Sequence, residues 1–182
     1  MGSAELLLTQ LQRAFDAARV DVEALDDDEY FWEPVTPCWS VRRRNEAGPG
    51  WGAGEWVCED VWPPPDPPLV TTIAWRLAHL SAWTDVYRSY TFEDASLGLP
   101  GFEVPGSAAV ALDWLDRSQH AFAAAVASVR DDELDELRPA HWGGQLPIEF
   151  LVWTIQFEHI HHGAEISLLR DLRRGTARSI PP

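Results

Sequence analysis

The chain has 182 residues, of which 46% are hydrophobic, so it can bury one sizeable core and we expect a single domain over residues 1–182. Its formal net charge is −15, and an acidic surface repels phosphate backbones, which argues against nucleic-acid binding. The apolar run at residues 150–155 is too short to span a membrane, no charged and apolar leader opens the chain, and two cysteines make no disulfide framework. We therefore expect a cytoplasmic protein.

Apolar residues repeat at helical spacing near the start of the chain and predict a first helix over residues 5–25. Residues 30–68 then contain five tryptophans, a glycine-rich stretch and a run of prolines, none of which suits a helix. A loop of this length is usually functional or lies over a surface. Large aromatic side chains stabilise a loop only when they are buried, so we expect this loop to cover part of the helices. The side chains concerned are Trp32, Trp39, Trp51, Trp56 and Trp62.

Two further helices are predicted in the middle of the chain. Thr71 or Thr72 can cap a second helix that runs to about Tyr90. Ser107 can cap a third helix after the glycine-containing break at residues 98–106. The core face of this third helix is predicted to contain Val110, Trp114, Phe122 and Val126.

A last long helix is predicted after a short connector at residues 131–134 that can form one helical turn. Pro147 stands at a first-turn position, and the helix is expected to end near residue 173, before Gly175. Antiparallel packing of the four helices gives an all-α fold, a four-helix bundle with a long Trp/Pro-rich loop between helices 1 and 2.

The last predicted helix carries a dense polar cluster in residues 158–165, with three of the chain's six histidines. At about 100° per residue, Glu158, His161, His162 and Glu165 share roughly one quadrant of the helix, while His159 lies toward a flank. A glutamate and a histidine four positions apart can ligate one ion. Burying such groups without partners costs several kcal/mol each, and a shared cation is the simplest compensation.

A divalent ion with an open position needs at least one more protein ligand, and His79 in the second predicted helix is the best candidate. Its neighbours at helical spacing, Trp75, Ala82, Trp83 and Val86, make an apolar stripe, so His79 points inward. A lone inward histidine is more often a core residue bonded to a carbonyl group than a ligand. The inward carboxylate and imidazole on the last helix favour the interpretation of His79 as a ligand.

Trp75-x-x-x-His79, followed about eighty residues later by Glu158-x-x-x-His162, resembles the DinB and YfiT-like metalloprotein superfamily. The resemblance covers nearly the whole chain. It implies a four-helix bundle of the DinB/YfiT type that holds a metal ion between its second and fourth helices.

Familiar members of that superfamily carry His-x-x-x-His in the last helix, whereas the first of these positions here is Glu158. This departure is similar to the branch of mycothiol-dependent maleylpyruvate isomerase, whose ligands are His, Glu and His. By position, the resemblance implies that His79, Glu158 and His162 bind one divalent ion, with zinc favoured and nickel or manganese as alternatives. His161 and Glu165 would lie beside the ligands, where they orient a ligand or shuttle a proton as catalytic groups.

Two functions of different classes fit this pattern. In the first, the protein is a metal-dependent transferase or isomerase that uses a small thiol cofactor such as mycothiol, or it is a hydrolase. Arg76 and Arg170 are then the candidate cofactor-binding residues. In the second, the same helices hold an ion or a ligand without turnover. The expected partners are a small-molecule substrate and a low-molecular-weight thiol. If the loop tryptophans lie on the surface instead, they would mark a partner interface, with a homodimer formed by helix faces as the runner-up expectation.

Three other chemically capable residues are interpreted as structural. His141, in the loop before the last helix, is expected at the surface, with the mouth of a pocket as the alternative. His120 is expected to make a solvent-facing contact with Asp116 rather than to ligate an ion. Cys38 has no activating base near it in the sequence and is expected to be a small buried hydrophobic residue.

Overall fold

The computed structural model describes residues 1–178, and the fold is mostly helical, as the sequence predicts. Helices α1 and α3 both contact α4 and α5, so the four long helices enclose the core. The five α-helices within the described residues are α1 (Ser3–Asp21), α2 (Asp27–Tyr30), α3 (Ile73–Phe92), α4 (Ala108–Val126) and α5 (Ile148–Arg178). None of the helices in this part of the chain is long and apolar enough to cross a membrane.

Short strands between the helices correct the expectation of an all-α fold. The strands are β1 (Cys38–Trp39), β2 (Val41–Arg43), β3 (Gly50–Trp51), β4 (Trp56–Glu59), β5 (Val70–Thr71), β6 (Leu137–Pro139) and β7 (Gln145–Pro147). Strand β1 pairs with β5 in parallel, β4 lies between β2 and β3 in an antiparallel sheet, and β6 pairs with β7. The segment between α1 and α3 is therefore partly a sheet. Runs of two to four residues are too short for an alternating pattern to identify them in the sequence.

Capping explains where two of the helices begin. The hydroxyl of Thr72 accepts a hydrogen bond from the backbone N–H of Trp75 at 3.3 Å, so Thr72, one of the two predicted caps, caps α3. Helix α4 begins after Ser107, but the Ser107 side chain makes no capping bond. Instead, the carboxylate of Asp27 accepts from the N–H of Ala108 at 2.7 Å. A cap supplied from 81 positions away has no local signal in the sequence.

Two helix ends differ from the prediction. Helix α1 ends at Asp21, before the predicted end, and the chain turns through Ala24 with φ of 56°. Helix α5 continues past Gly175 to Arg178. A glycine costs a helix only about 1 kcal/mol relative to alanine, so it does not end one by itself.

Most of the predicted core positions are buried, with two exceptions. In α4, Trp114, Phe122 and Val126 are buried, but Val110 is 54% exposed. Val110 lies at the edge of the buried face of α4. Trp114, one turn later, has a larger side chain that reaches inward, where its Nε1 donates a hydrogen bond to Asp85. Of the five loop tryptophans, Trp51 is buried, and three more pack against the core as partly buried side chains, namely Trp32, Trp39 and Trp56. The expectation is wrong for Trp62, which is 90% exposed.

Candidate metal centre

Helices α3 and α5 bring His79, Glu158 and His162 together. The Oε2 atom of Glu158 lies 3.2 Å from Nε2 of His79 and 3.3 Å from Nε2 of His162. The centroids of the two imidazole rings are 4.8 Å apart. Positions four apart lie one above the other on a helix, so α5 presents Glu158 and His162 on one face, and the packing of α3 on α5 adds His79.

The surroundings of the three side chains favour the protonation states that metal ligands need. The side chains of His79, Glu158 and His162 are 18%, 26% and 11% exposed. Burial lowers the pKa of His162 to about 4, although its hydrogen bond with Glu158 acts in the opposite direction. Burial alone would raise the pKa of Glu158, but hydrogen bonds with His162 and His79 outweigh it and hold the pKa well below its ordinary value. At neutral pH, the cluster therefore contains a carboxylate anion and, at His162, a neutral imidazole.

The spacing of the donor atoms fits a divalent ion. Zinc binds histidine nitrogen and carboxylate oxygen at about 2.0–2.2 Å, so neighbouring ligands of a tetrahedral ion lie about 3.3 Å apart. The separations of Glu158 Oε2 from the two histidine nitrogens, 3.2 Å and 3.3 Å, match this value, and all three ligand atoms lie within 4.8 Å of one another. Two nitrogen donors and one oxygen donor also suit nickel or manganese. Three protein ligands leave at least one position for water or substrate.

The second nitrogen of His162 contacts a carboxylate and a guanidinium group. Its Nδ1 lies 2.7 Å from Oε2 of Glu165 and 3.1 Å from Nη1 of Arg76, and Arg76 also forms an ion pair with Glu165. The shorter contact favours the tautomer in which Nδ1–H donates to Glu165, while Arg76 donates to the same carboxylate. An ion that replaced the hydrogen bond between Nε2 of His162 and Glu158 would select this tautomer, whose Nε2 lone pair is free for coordination, as a ligating histidine requires. Glu165 and Arg76 therefore orient His162.

His161 lies on the outer side of this arrangement. Its ring stacks on the ring of His162 with centroids 4.8 Å apart, and its Nε2 is 3.4 Å from Oε1 of Glu165. His161, His162 and Glu165 form a second group whose possible ligand atoms lie within 4.8 Å of one another. The guanidinium of Arg76 pairs with Glu165 there, so the negative charge of this second group is balanced by an arginine without a metal ion. The structure thus places His161 beside Glu165, half exposed to solvent.

Arg170 lies in a different environment from the proposed ligands. Its Nε and Nη2 each donate to the carboxylate of Glu29 at 2.9 Å, and its Nη1 donates to the backbone carbonyls of Asp21 and Glu23. Arg170 is eight residues beyond His162, which corresponds to about 12 Å along a helix. These contacts tie α5 to the end of α1 and to α2. They do not test cofactor binding, so that role for Arg170 stays a prediction.

His159 is a packing residue. It is buried, its ring meets Phe15 edge-on at 4.5 Å, and its Nδ1 is 2.9 Å from the carbonyl oxygen of Ile155. Burial lowers the pKa of His159 to about 4. Cys38 is likewise buried with a free thiol, and burial, reinforced by nearby Glu33, raises its pKa to about 11. Neither side chain belongs to the candidate centre.

A cavity of about 360 Å³ opens beside the candidate ligands, and His79 and Glu158 form part of its lining. His141 lines the same cavity, with its ring centroid 4.3 Å from that of Trp83, so its expected surface position is wrong and the alternative at a pocket is correct. Tyr87 also lines this cavity, and the sequence analysis did not identify it. Tyr87 lies two helical turns after His79 on the same face of α3, so its spacing from His79 could have revealed it.

Comparison with known proteins agrees with this geometry. The sequence profile of the DinB superfamily matches residues 8–166, a range that contains His79, Glu158 and His162. The chain therefore belongs to the DinB superfamily. No curated protein matches the chain.

Proposed function

We propose that this DinB-superfamily protein binds one divalent metal ion through His79, Glu158 and His162 and acts on a small-molecule substrate. The activated group would be a small thiol such as mycothiol, in a transfer or an isomerisation, or water in a hydrolysis. The observation that carries the proposal is the position of one carboxylate oxygen of Glu158 within 3.3 Å of both Nε2 atoms. Zinc is the expected ion, with nickel and manganese as alternatives.

A divalent ion at this position supplies a Lewis acid that lowers the pKa of a bound thiol or water. The chain's own residues prepare the site for that chemistry. Glu165 and Arg76 hold His162 in the ligating tautomer, and aromatic side chains of the adjacent cavity place an apolar surface beside the reacting group. His161 is half exposed and contacts Glu165, so we propose that this pair carries protons between the site and solvent.

The same proposal includes the finer fold assignment. The contacts of α1 with α5, α5 with α3, α3 with α4 and α4 with α1 support a four-helix bundle of the DinB/YfiT type. In such a bundle, metal ligands project inward from facing helices, as His79 does from α3 and Glu158 and His162 do from α5. We propose that the bundle and its small sheets form one domain.

Metal analysis of the purified protein and its variants tests the ligand set. We expect about one equivalent of metal in the native chain and a near-complete loss in His79→Ala, Glu158→Ala and His162→Ala. His120→Ala is the matched control, because this exposed histidine lies on α4 and bonds to the backbone carbonyl of Asp116 on that helix, and the variant should keep the metal. Stoichiometric metal in all three ligand variants would exclude the proposed triad.

A second experiment separates catalysis from simple ion binding. The native protein is screened for thiol transfer and for hydrolysis before chelation, after chelation and after the metal is restored. Activity that disappears with the chelator and returns with the metal supports the enzymatic proposal. Full activity in the metal-free protein would contradict it, and a metal-loaded protein without thiol or hydrolytic activity would point to the alternative, an ion- or ligand-binding protein without turnover.

A further inference from the structure

The cavity beside the proposed ligands is built mainly from rings. Its aromatic wall comprises Trp39, Trp62, Trp75, Trp83, Tyr87 and His141. These side chains come from the segment before α3, from α3 itself and from the loop before α5. The volume, about 360 Å³, lies within the range of about 300–1,000 Å³ that is usual for small-molecule sites.

Stacking within the aromatic wall leaves a continuous apolar surface next to His79. The rings of Trp39 and Trp75 are nearly parallel at 6.5 Å, and Trp75 stacks on His79 at 4.7 Å. Trp83 meets the ring of His79 edge-on at 6.2 Å and contacts His141 at 4.3 Å. A ligand beside His79 therefore has ring faces and edges within reach on the aromatic wall.

Trp62 is the exposed member of the aromatic wall. It is 90% exposed, and within the described residues it makes no ring contact and no side-chain hydrogen bond. An indole ring at the rim of a cavity, without an apolar neighbour to cover it, gains stability when a ligand buries its face. Trp62 is thus available to close an apolar ligand against the rest of the wall.

The charged groups of the cavity are acidic. Asp60 and Glu158 line it, and no arginine does so among the residues described. The nearest guanidinium on α3, Arg76, is buried and pairs with Glu165. A carboxylate inside the cavity would therefore be desolvated beside two acidic groups without a basic partner, which is unfavourable. The ion at Glu158 would offset only the charge at the reacting end.

We infer that the aromatic wall receives a flat, uncharged apolar group of the substrate, such as an aromatic ring, and that it disfavours a substrate carrying a carboxylate on that group. The reacting end of the substrate then faces His79 and Glu158. This inference rests on the proposed function for the position of the reacting end. The aromatic and acidic lining of the cavity does not depend on whether a metal is bound.

Three hydroxamates with the same metal-binding group test the inference by calorimetry on the zinc-loaded protein. Acetohydroxamate contacts the metal alone, naphthalene-2-hydroxamate adds a flat apolar group, and 6-carboxynaphthalene-2-hydroxamate adds a carboxylate to that group. We expect the naphthyl compound to bind at least tenfold more tightly than acetohydroxamate, and the carboxylated compound to lose at least tenfold of that affinity. Equal affinity for the first two compounds, or tighter binding of the carboxylated one, would overturn the inference.

Variants of exposed apolar residues localise the effect. Trp62→Ala should weaken binding of the naphthyl compound several-fold and leave acetohydroxamate unchanged. Val20→Ala is the control, because Val20 is also exposed but lies on α1 outside the cavity, and it should change neither affinity. An equal loss in both variants, or no loss in Trp62→Ala, would contradict the role of the aromatic wall.

Binding of 2-naphthol to the metal-free protein separates this inference from the proposed function. If the purified protein holds no metal and acetohydroxamate does not bind, the proposed function fails. Binding of 2-naphthol that Trp62→Ala weakens would still support the cavity as an apolar site. Absence of 2-naphthol binding to the metal-free protein would overturn the inference whatever the metal analysis shows.

Discussion

Glu165 shows how a residue outside the proposed ligand set shapes the site. Its carboxylate accepts a hydrogen bond from Nδ1 of His162 and forms an ion pair with Arg76. The imidazole and the guanidinium together fix the position of the carboxylate. Burial lowers the pKa of Arg76 to about 10, which still leaves the guanidinium charged at neutral pH. The arrangement directs the other nitrogen of His162 toward Glu158 and His79.

We expect Glu165→Gln to weaken metal binding by about tenfold to a hundredfold, because the amide holds the His162 tautomer less strongly than the carboxylate does. The side chain keeps its size, so the protein should stay folded. Competition with a chromogenic chelator measures the change, and circular dichroism checks the fold. Unchanged metal affinity in a folded Glu165→Gln variant would show that the carboxylate does not position His162.

His159 offers the opposite test, because it is next to a proposed ligand in sequence but packs on Phe15. His159→Ala removes a fully buried ring, and large-to-small core changes typically cost about 2–5 kcal/mol in the free energy of unfolding. We expect this loss in urea denaturation, together with metal content equal to that of the native chain. Loss of the metal without loss of stability would mean that His159 is a ligand.

At the level of elements, α3 and α5 have different environments. Helix α3 is buried on most of its surface, because it packs on α4 and α5 and also meets the sheet, where Nε1 of Trp75 donates to the carbonyl of Glu59 at 2.6 Å. Helix α5 buries one face and is fastened near its end by Arg170 to Glu29. The two helices therefore hold the proposed ligands on rigid, well-anchored backbone.

Arg170→Met should destabilise the protein without changing its metal content. The variant leaves Glu29 as a buried carboxylate without its partner, and breaking such a pair costs about 3–5 kcal/mol. The control is Arg174→Met, whose ion pair with Asp171 is exposed and should contribute no more than about 1 kcal/mol. Urea denaturation measures both. Unchanged stability combined with lost thiol binding would instead support Arg170 as a cofactor-binding residue.

For the whole molecule, the outer face of α5 carries a stripe of exposed apolar side chains. Its side chains are between 43% and 55% exposed and follow one another at spacings of three, four and three residues, namely Phe150, Trp153, Phe157 and Ile160. Such spacing makes one continuous stripe and is typical of a helix that pairs with another helix. The rings of Trp153 and Phe157 stack at 5.6 Å within this stripe.

We predict that two copies of the chain form a homodimer by pairing this stripe about a two-fold axis. Multi-angle light scattering at micromolar concentration should give twice the chain mass for the native protein and the monomer mass for Trp153→Glu. Val20→Glu introduces the same charge at an exposed apolar position of α1 and should stay dimeric. A monomeric native protein at this concentration would contradict the dimer.

Local geometry made part of the site predictable from the sequence. The i, i+4 spacing of Glu158 and His162 places them on one face of any helix, and the apolar neighbours of His79 indicate that it points inward. The cap at Thr72 is a local signal of the same kind. These features depend only on residues within a turn or two of one another, so no knowledge of the fold is needed to find them.

Contacts between distant segments were decided by the tertiary structure alone. His79 meets Glu158 across 79 positions and Arg170 meets Glu29 across 141, because of how the helices pack rather than because of any local pattern. The cavity likewise combines Trp62 and His141 from separate loops. A sequence pattern reports which face of a helix is apolar, but the packing of α3 on α5 determines which side chains meet there and so where a metal ion and a ligand can bind.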